Sequence, residues 1–300
     1  MKVLITGANG FIGTYLQREF ARNTFETDAY GVDLLHGDLT KPHVAAALLK
    51  EFTPDVVVHL AGLVGRLFGE RDPALTITTN TIATCYMAQA CADAGIRLAY
   101  ASTSEAYGDQ GEKLVPESDY GVLPHNLYGL TKRHAEEVCR LYMPPENLQI
   151  FRLSMPYGPG LPAGKGRAAL LTFLFNAIHE QPIIVHKDAK RCWCYVEDTV
   201  RGIVAMLNNG GPGAWLIGRI DNETSMYDVA IQACKLAGKD PTALIQLVDA
   251  PSNQTLVKRL NPERLMALGW KPEVDLDEGM RRCYEAMLHY SSAGRPPWRQ

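Results

Sequence analysis

The sequence lacks both a long apolar run and an excess of positive charge. No apolar stretch reaches the roughly 20 residues that a membrane-spanning helix needs, so we expect no membrane partner. The formal net charge is −3 at pH 7 and the sequence pI is about 6.2, which argues against nucleic acid as the main partner. The first residues, MKVLITGANG, lack the pattern of a signal peptide. We therefore expect a cytoplasmic globular protein.

Patterns typical of disulfide frameworks and metal sites are also missing. The 300 residues contain seven cysteines, an odd number scattered along the chain, which is not the pattern of a disulfide scaffold. Cys192 and Cys194 flank a single tryptophan, and alternate residues of a strand share one face, so we interpret both as buried strand residues. The eight histidines show no metal-binding spacing. We predict no metal site.

What the sequence does contain is a regular alternation of apolar strand segments and helical segments. Residues 2–6 and 55–60 are short, continuously apolar runs of the kind that form buried parallel strands. Residues 73–94 and 127–142 have the spacing of helices. Strands that alternate with helices at this pitch predict an α/β fold, with a doubly wound parallel sheet and helices on both faces.

A change of composition predicts the domain organisation. Seven prolines and glycines crowd into residues 156–166, and such a run marks a loop or a boundary. We predict a nucleotide-binding domain over residues 1–155 and a smaller α+β substrate domain over residues 156–300. Residues 191–209 are expected to return to the first domain.

A glycine-rich turn follows the first strand and opens the first helix. Gly7, Gly10 and Gly13 form G-x-x-G-x-x-G, and glycines at such a turn let backbone amides and a helix N-terminus approach a pyrophosphate. Asp33 ends the second predicted strand about 20 residues later, where a carboxylate accepts hydrogen bonds from ribose hydroxyls and repels a 2′-phosphate. The sequence therefore predicts NAD as the cofactor.

A second group of residues has the chemistry of a proton-transfer site. Tyr128 and Lys132 are four residues apart on a predicted helix, so they share one face. A neighbouring ammonium lowers the pKa of a phenol and makes it a usable proton acceptor. Thr103 and Ser104 follow a predicted strand, which puts their hydroxyls at the carboxyl edge of the sheet, where ligands of such folds bind.

Together these segments resemble the extended branch of the short-chain dehydrogenase/reductase superfamily, the NAD-dependent epimerase/dehydratase family, whose cofactor domain has the Rossmann fold. Thr103, Tyr128 and Lys132 match its Ser/Thr–Tyr–Lys set. Residues 152–159 (RLSMPYGP) resemble its R-x-x-N-x-Y-G-P segment, and residues 191–198 (RCWCYVED) resemble R-x-F-x-Y-V-x-D. The resemblance extends from residue 2 to about residue 288, including an L-G-W-x-P signature at residues 268–272.

The resemblance implies a set of binding residues and partners. NAD contacts are expected from the three glycines and Asp33, and further from Phe11, Ile12, Asp38, Leu39, Leu60, Ala61, Asn80, Tyr128 and Lys132. A UDP-sugar or other nucleotide-sugar substrate is expected to contact Thr103, Glu105, Arg167, Arg191, Lys258 and Arg259. It also implies a homodimer formed through the helices around residues 80–92 and 128–142.

The segment after the fourth predicted strand bears on the reaction. Thr103, Ser104 and Glu105 resemble the Thr-Ser-Glu of the UDP-glucuronate decarboxylase (UDP-xylose synthase) branch, which implies oxidation at sugar C4 and loss of the carboxylate, giving UDP-xylose or its 4-keto form. A 4-epimerase of UDP-hexoses or UDP-uronates is the main alternative. A 4,6-dehydratase is less expected, because Ser104 stands where those enzymes carry an aspartic acid. A keto-sugar reductase and a non-catalytic NAD-binding protein are further alternatives.

Glu105 raises a question of charge, because a carboxylate facing an anionic substrate repels it. It is either protonated, or disfavours the substrate carboxylate in the ground state, or only accepts hydrogen bonds from sugar hydroxyls. Met155 replaces the asparagine of R-x-x-N, and His125 replaces an arginine of the decarboxylase pattern. The sequence thus indicates a divergent decarboxylase or a sister enzyme with another sugar. Cations must be concentrated at its site, Arg191 first among them.

Overall fold

The fold is built from short strands and helices that alternate along the chain in this computed structural model, which describes residues 1–22, 27–118, 122–161 and 168–292. The strands in these ranges are β1 (Lys2–Thr6), β2 (Asp28–Val32), β3 (Val56–His59), β4 (Arg97–Thr103), β5 (Leu114–Pro116), β6 (Leu148–Leu153), β7 (Pro156–Tyr157), β8 (Ile183–His186), β9 (Lys190–Cys192), β10 (Cys194–Tyr195), β11 (Gly213–Ile217), β12 (Glu223–Ser225), β13 (Ile245–Val248) and β14 (Arg259–Asn261). The helices are α1 (Phe11–Arg22), α2 (Pro42–Phe52), α3 (Arg66–Arg71), α4 (Pro73–Ile77), α5 (Ala83–Ala94), α6 (Leu127–Tyr142), α7 (Ala169–Ile178), α8 (Val196–Asn209), α9 (Met226–Leu236), α10 (Pro241–Leu244), α11 (Glu263–Ala267) and α12 (Leu276–Ser292).

The centre of the fold is a six-stranded sheet in which every neighbouring pair is parallel. The strand order is β11-β6-β4-β3-β1-β2. All four residues of β3 are buried, as expected of a strand that is covered on both faces. The predicted doubly wound α/β fold is confirmed.

Side chains that alternate along the strands separate the two helical layers. Leu4 and Val57 pack on the side that carries α2, α5 and α6, whereas Val3, Ile5 and Val58 pack on the side of α1 and α8. Successive residues of a strand point to opposite faces, so one apolar run supplies both cores.

The remaining strands form two-stranded pairs beyond the carboxyl edge of the sheet. Several of them enclose a separate apolar cluster with α7, α9 and α12. The division of the chain at residue 155 stays a prediction. β11, which follows residues 191–209 in the chain, joins the central sheet. Leu265 and Trp270 pack into the apolar core on one face of that sheet.

None of the helices in the described parts of the chain combines the length and the apolar composition that crossing a membrane requires.

A buried ion pair joins the sheet to α6. Arg152 of β6 donates to both carboxylate oxygens of Glu136, at 3.0 and 2.7 Å, and both side chains are at most 1% exposed. The hydroxyl of Ser102 in β4 donates to the same carboxylate, and Arg152 also donates to the carbonyl of Glu117 at 2.8 Å. The network therefore sets the position of α6 relative to the ends of β4 and β6.

Replacing Glu136 by Gln is expected to lower the free energy of unfolding by about 3–5 kcal/mol, because it removes the carboxylate that compensates a buried guanidinium. Urea unfolding followed by circular dichroism measures the change. The matched control is Glu137→Gln, whose side chain is 50% exposed and pairs with Arg140 at the surface, and its effect should stay within about 1 kcal/mol. Equal effects of the two substitutions would contradict the role given to the buried pair.

Candidate active site

A large cleft runs along the carboxyl edge of the sheet. Its volume is about 1990 Å³, and its lining includes the turn after β1, the ends of β2, β3 and β4, and the start of α6. The opposite wall includes residues 153–161 and parts of β8, β9 and α9. Loops at this edge are where ligands of open parallel sheets bind, so the cleft is the candidate active site.

The glycine turn is packed so closely that side chains do not fit. A Cβ on Gly13 would lie 2.4 Å from the carbonyl oxygen of Gly7, and a Cβ on Gly7 would lie 2.8 Å from the backbone nitrogen of Ala61. Gly7 also has a φ of +69°, which favours glycine. The turn leads directly into α1 at Phe11, so the helix N-terminus faces the cleft. This cradle fits a dinucleotide pyrophosphate.

The acidic residues expected to contact the nucleoside lie further along the same wall. The carboxylate of Asp33 accepts hydrogen bonds from the backbone nitrogens of Asn9, at 3.0 Å, and Leu34, at 2.8 Å. These bonds hold it at the rim of the cleft. Asp38 also lines the cleft, with Leu39 beside it, but its carboxylate is turned to Thr40, whose hydroxyl and backbone hydrogen bonds lower the pKa of Asp38.

Asn80 lies behind the cleft wall. It sits in a π-helical turn, Thr78–Ile82, that joins α4 to α5, and such widened turns often occur at functional sites. Its side chain is fully buried, accepts a bond from the backbone nitrogen of Leu63 at 2.8 Å and donates to the carbonyl of Leu63 at 3.0 Å. Asn80 thus fixes the loop after β3, where Leu60 and Ala61 line the cleft. A direct contact between Asn80 and the cofactor stays a prediction.

Thr103, Tyr128 and Lys132 all line the cleft. Burial raises the pKa of the Tyr128 phenol to about 12, although a hydrogen bond with Thr103 opposes this. Burial lowers the pKa of Lys132 to about 8, and its ammonium donates to the carbonyl of Ala101 at 2.9 Å. The sequence led us to expect a lowered phenol pKa. In the structure burial raises the pKa of the phenol instead, because the phenolate is the form that loses solvation, and the Glu105 carboxylate adds to the rise.

Ser104 and Glu105 line the cleft beside this group. Glu105 accepts hydrogen bonds from the side chains of Asn126, at 3.2 Å, and Thr255, at 3.1 Å, and forms an ion pair with Lys258. Burial by itself raises the pKa of a carboxyl group, but Lys258 outweighs it and the pKa of Glu105 falls to about 2. The group is therefore ionised, and the alternative of a protonated Glu105 does not hold in this structure.

The cationic residues predicted to bind the substrate do not all line the cleft. Arg191 and Lys258 line the cleft, and the Arg191 guanidinium also donates to the carbonyls of Thr255 and Leu256 at 2.6 and 2.5 Å. Arg259 is not part of the cleft lining among the described residues; it pairs with Glu223 at 2.9 Å and with Glu112 at 3.5 Å. Arg167 lies outside the described residues.

Several residues of the site have no counterpart in the sequence analysis. A Cβ on Gly62 would lie 2.9 Å from the amide oxygen of Asn80 and 3.3 Å from the Lys132 ammonium, so the loop after β3 needs a glycine there. Asn126 caps α6 through the backbone nitrogen of Gly129 at 2.9 Å, and an asparagine just before a helical pattern is a recognisable N-cap. Thr255 has no local signal, because its partner is 150 residues away.

Replacing Gly13 by Ala is expected to abolish NAD binding, because the added methyl group displaces the backbone of the pyrophosphate cradle. Isothermal titration with NAD measures the loss. Gly211→Ala is the control, since a Cβ there meets nothing within 4 Å, and it should bind NAD like the parent protein. NAD binding by the Gly13 variant at the parent affinity would show that the cradle is not the cofactor site.

Comparisons with known proteins identify the family. A model of the NAD dependent epimerase/dehydratase family matches residues 3–218. UDP-glucuronic acid decarboxylase 3 of Arabidopsis thaliana is 30% identical over 308 residues, covering 93% of this chain and 87% of the relative.

Two solved structures share the fold. The dTDP-glucose 4,6-dehydratase of Streptomyces venezuelae, solved with NAD and TYD bound, superposes with a TM-score of 0.88 at 22% identity and covers all of both chains. The UDP-glucose 4-epimerase of Thermus thermophilus, solved with NAD, gives a TM-score of 0.85 at 23% identity over 96% of this chain and 99% of that one. The resemblance in the sequence is confirmed: the chain belongs to the NAD-dependent epimerase/dehydratase family.

Proposed function

We propose that the protein is an NAD-dependent nucleotide-sugar enzyme that decarboxylates UDP-glucuronate to UDP-xylose or its 4-keto form. The observation that carries this proposal is the cluster of Glu105, Arg191 and Lys258 beside Tyr128. In this part of the cleft lining two cations accompany one carboxylate, in a chain whose net charge is −3, and Asp109, which is not part of the lining, acts on both cations. Such a cluster suits a substrate with both a diphosphate and a sugar carboxylate. Relatives named UDP-glucuronic acid decarboxylase support the same reaction.

Residues of the cleft lining have the chemistry for the first step. Bound NAD would supply a hydride acceptor and a positive charge that favours the phenolate of Tyr128. Tyr128 takes the proton of the sugar C4 hydroxyl, Thr103 hydrogen-bonds to the phenol, and Lys132 adds a second positive charge nearby. The family resemblance and the burial of all three side chains support these roles, because a site without water strengthens each electrostatic interaction.

Glu105 then acts beside the sugar carboxylate. A ketone at C4 makes the C5 carboxylate that of a β-keto acid, from which carbon dioxide leaves as the electron pair moves towards the ketone oxygen. An ionised Glu105 disfavours the substrate carboxylate and favours its departure as a neutral molecule. The ion pair with Lys258 compensates the charge of Glu105 and so reduces its repulsion of the approaching substrate. Arg191 adds a further cation for the diphosphate.

A 4-epimerase is the second candidate. Both oxygens of Glu105 are engaged by protein donors, which leaves Thr103, Tyr128 and Lys132 as the groups available for chemistry. With NAD bound to take up and return the hydride, that set would suffice for oxidation and re-reduction at C4. A 4,6-dehydratase is disfavoured because Ser104 is not an acid, and a keto-sugar reductase would use the same three residues with the cofactor as a co-substrate.

We also propose that the protein is a homodimer through the helices around residues 80–92 and 128–142. Exposed apolar side chains on or beside these helices are Ile77 (43%), Ile82 (39%), Leu130 (40%), Leu141 (82%) and Tyr142 (48%). Exposed apolar residues on neighbouring helices are typical of a subunit interface.

The reaction is tested by incubating the NAD-loaded protein with UDP-glucuronate, UDP-glucose, UDP-galactose and dTDP-glucose and following the products by mass spectrometry. Loss of carbon dioxide from UDP-glucuronate is the expected result. A product of unchanged mass but new retention time would assign epimerisation instead. Loss of water would assign dehydration.

Replacing Glu105 by Gln should lower the decarboxylation rate by about 10–10³-fold, the range expected of a group that disfavours the ground state, while NAD binding persists, because the cofactor cradle lies on other loops. The control is Glu112→Gln, an exposed carboxylate that also pairs with a lysine, Lys190, and it should keep the parent rate. Decarboxylation by the Glu105 variant at the parent rate would show that this carboxylate takes no part in the step.

A further inference from the structure

The indole N–H of Trp193 is a buried donor to which the described chain offers no acceptor. Trp193 is 1% exposed, and its Nε1 has no hydrogen-bond partner among the described residues. A buried polar group left without a partner costs about 1–3 kcal/mol. Trp193 also lines the cleft, so the missing acceptor has a place from which to come.

The other tryptophans of the described chain show the contrast. The indole of Trp215 donates to the carbonyl of Gly211 at 3.0 Å, and that of Trp270 donates to the carbonyl of Asp198 at 3.1 Å. Neither of these two belongs to the cleft lining. Among the described tryptophans, Trp193 thus combines a place in the cleft lining with an indole N–H that has no acceptor in the described chain.

The backbone of Trp193 is held firmly, which fixes the ring. Its nitrogen donates to the side-chain oxygen of Asn222 at 3.1 Å, and the amide of Asn222 donates back to its carbonyl at 2.7 Å. The ring stands edge-on to Tyr157, with 5.9 Å between centroids. A donor on a fixed ring loses little conformational entropy when a ligand binds.

Trp193 lies next to Met155 across two short parallel strands. Pro156 pairs with Cys194, and the backbone nitrogen of Cys194 donates to the carbonyl of Met155 at 3.2 Å. Both Met155 and Trp193 line the cleft. The family pattern has asparagine and phenylalanine at these two places, so this chain has lost an amide on one strand and carries an indole N–H on its neighbour.

We propose that Trp193 is a specificity-determining residue whose Nε1–H donates a hydrogen bond to an oxygen of the bound nucleotide-sugar. Trp193 offers a donor on the strand next to Met155, whose thioether cannot donate a hydrogen bond. Arg191 is two residues earlier and also lines the cleft, so a charged donor and a neutral donor lie along one edge of the ligand. The inference rests on the proposed nucleotide-sugar substrate.

The cleft next to Trp193 is adaptable enough to admit the acceptor. Met155 and Met226 both line it and pack with the same apolar cluster as Trp193. Methionine side chains are unbranched and change rotamer at low cost. Rotamer changes of these two side chains let the cleft wall adjust when a ligand approaches the enclosed indole nitrogen.

The direct test is the indole ¹H–¹⁵N spectrum of the NAD-loaded Tyr128→Phe protein, in which the sugar is not turned over. UDP, UDP-glucose and UDP-glucuronate are each added to saturation, which isothermal titration establishes. The Trp193 resonance is identified by its loss in Trp193→Phe and is expected to move downfield. The resonances of Trp215 and Trp270, which already donate to carbonyls, should stay in place.

The three ligands also locate the acceptor. If the Trp193 resonance already shifts with UDP, the acceptor lies on the nucleotide diphosphate. If it shifts with UDP-glucose but not with UDP, the acceptor is a sugar hydroxyl. If it shifts only with UDP-glucuronate, the acceptor is the carboxylate. Trp193→Phe should weaken binding of the responsible ligand about two- to tenfold. The control, Trp215→Phe, removes an indole outside the cleft and should leave the affinity unchanged.

Two results would overturn the inference, and they differ in what else they affect. If the ligands that bind reach saturation and the Trp193 resonance stays in place with every one of them, Trp193 is not a ligand donor, and the proposed function stands. If titration shows that none of the three ligands binds, the proposed substrate class is wrong and the inference fails with it.

Discussion

The ion pair between Arg152 and Glu136 is the interaction on which the geometry of the site depends. It lies between β6 and α6, and Ser102 connects it to β4. Charges this deeply buried are stable only when they compensate one another, so the helix cannot shift along the sheet without separating them. The helix that carries Tyr128 and Lys132 is thereby held against the strand that ends in Thr103.

Compensation of charge also governs the substrate end of the cleft. Glu105 remains ionised because Lys258, Thr255 and Asn126 surround it. Lys258 and Thr255 are far from Glu105 in the sequence. They reach it only because the part of the chain that follows the central sheet packs against the carboxyl edge of that sheet. The result is an ionised carboxylate whose partner cation, Lys258, favours the approach of an anionic substrate.

Local sequence patterns predicted the framework and the cofactor side well. The apolar run that forms β3 and the glycines that follow β1 act through neighbours in the sequence, so their structural meaning can be read without the fold. Tyr128 and Lys132 are one helical turn apart and share a face for the same reason. The shift in the Tyr128 pKa was not predictable in this way, because it depends on burial by residues from elsewhere in the chain.

The sequence by itself thus determined the parallel sheet, and it indicated the glycine turn and the pairing of Tyr128 with Lys132 on one helix face, since each depends on periodicity or on spacing within about 20 residues. The tertiary structure alone decided that Lys258 neutralises Glu105 over a separation of 153 residues, that Arg259 lies outside the described cleft lining, and that the Trp193 donor is left without an acceptor in the described chain. Those outcomes depend on which loops are brought together when the parts of the chain pack against each other. A contact between residues that are far apart in the sequence produces no periodic pattern from which it could be predicted.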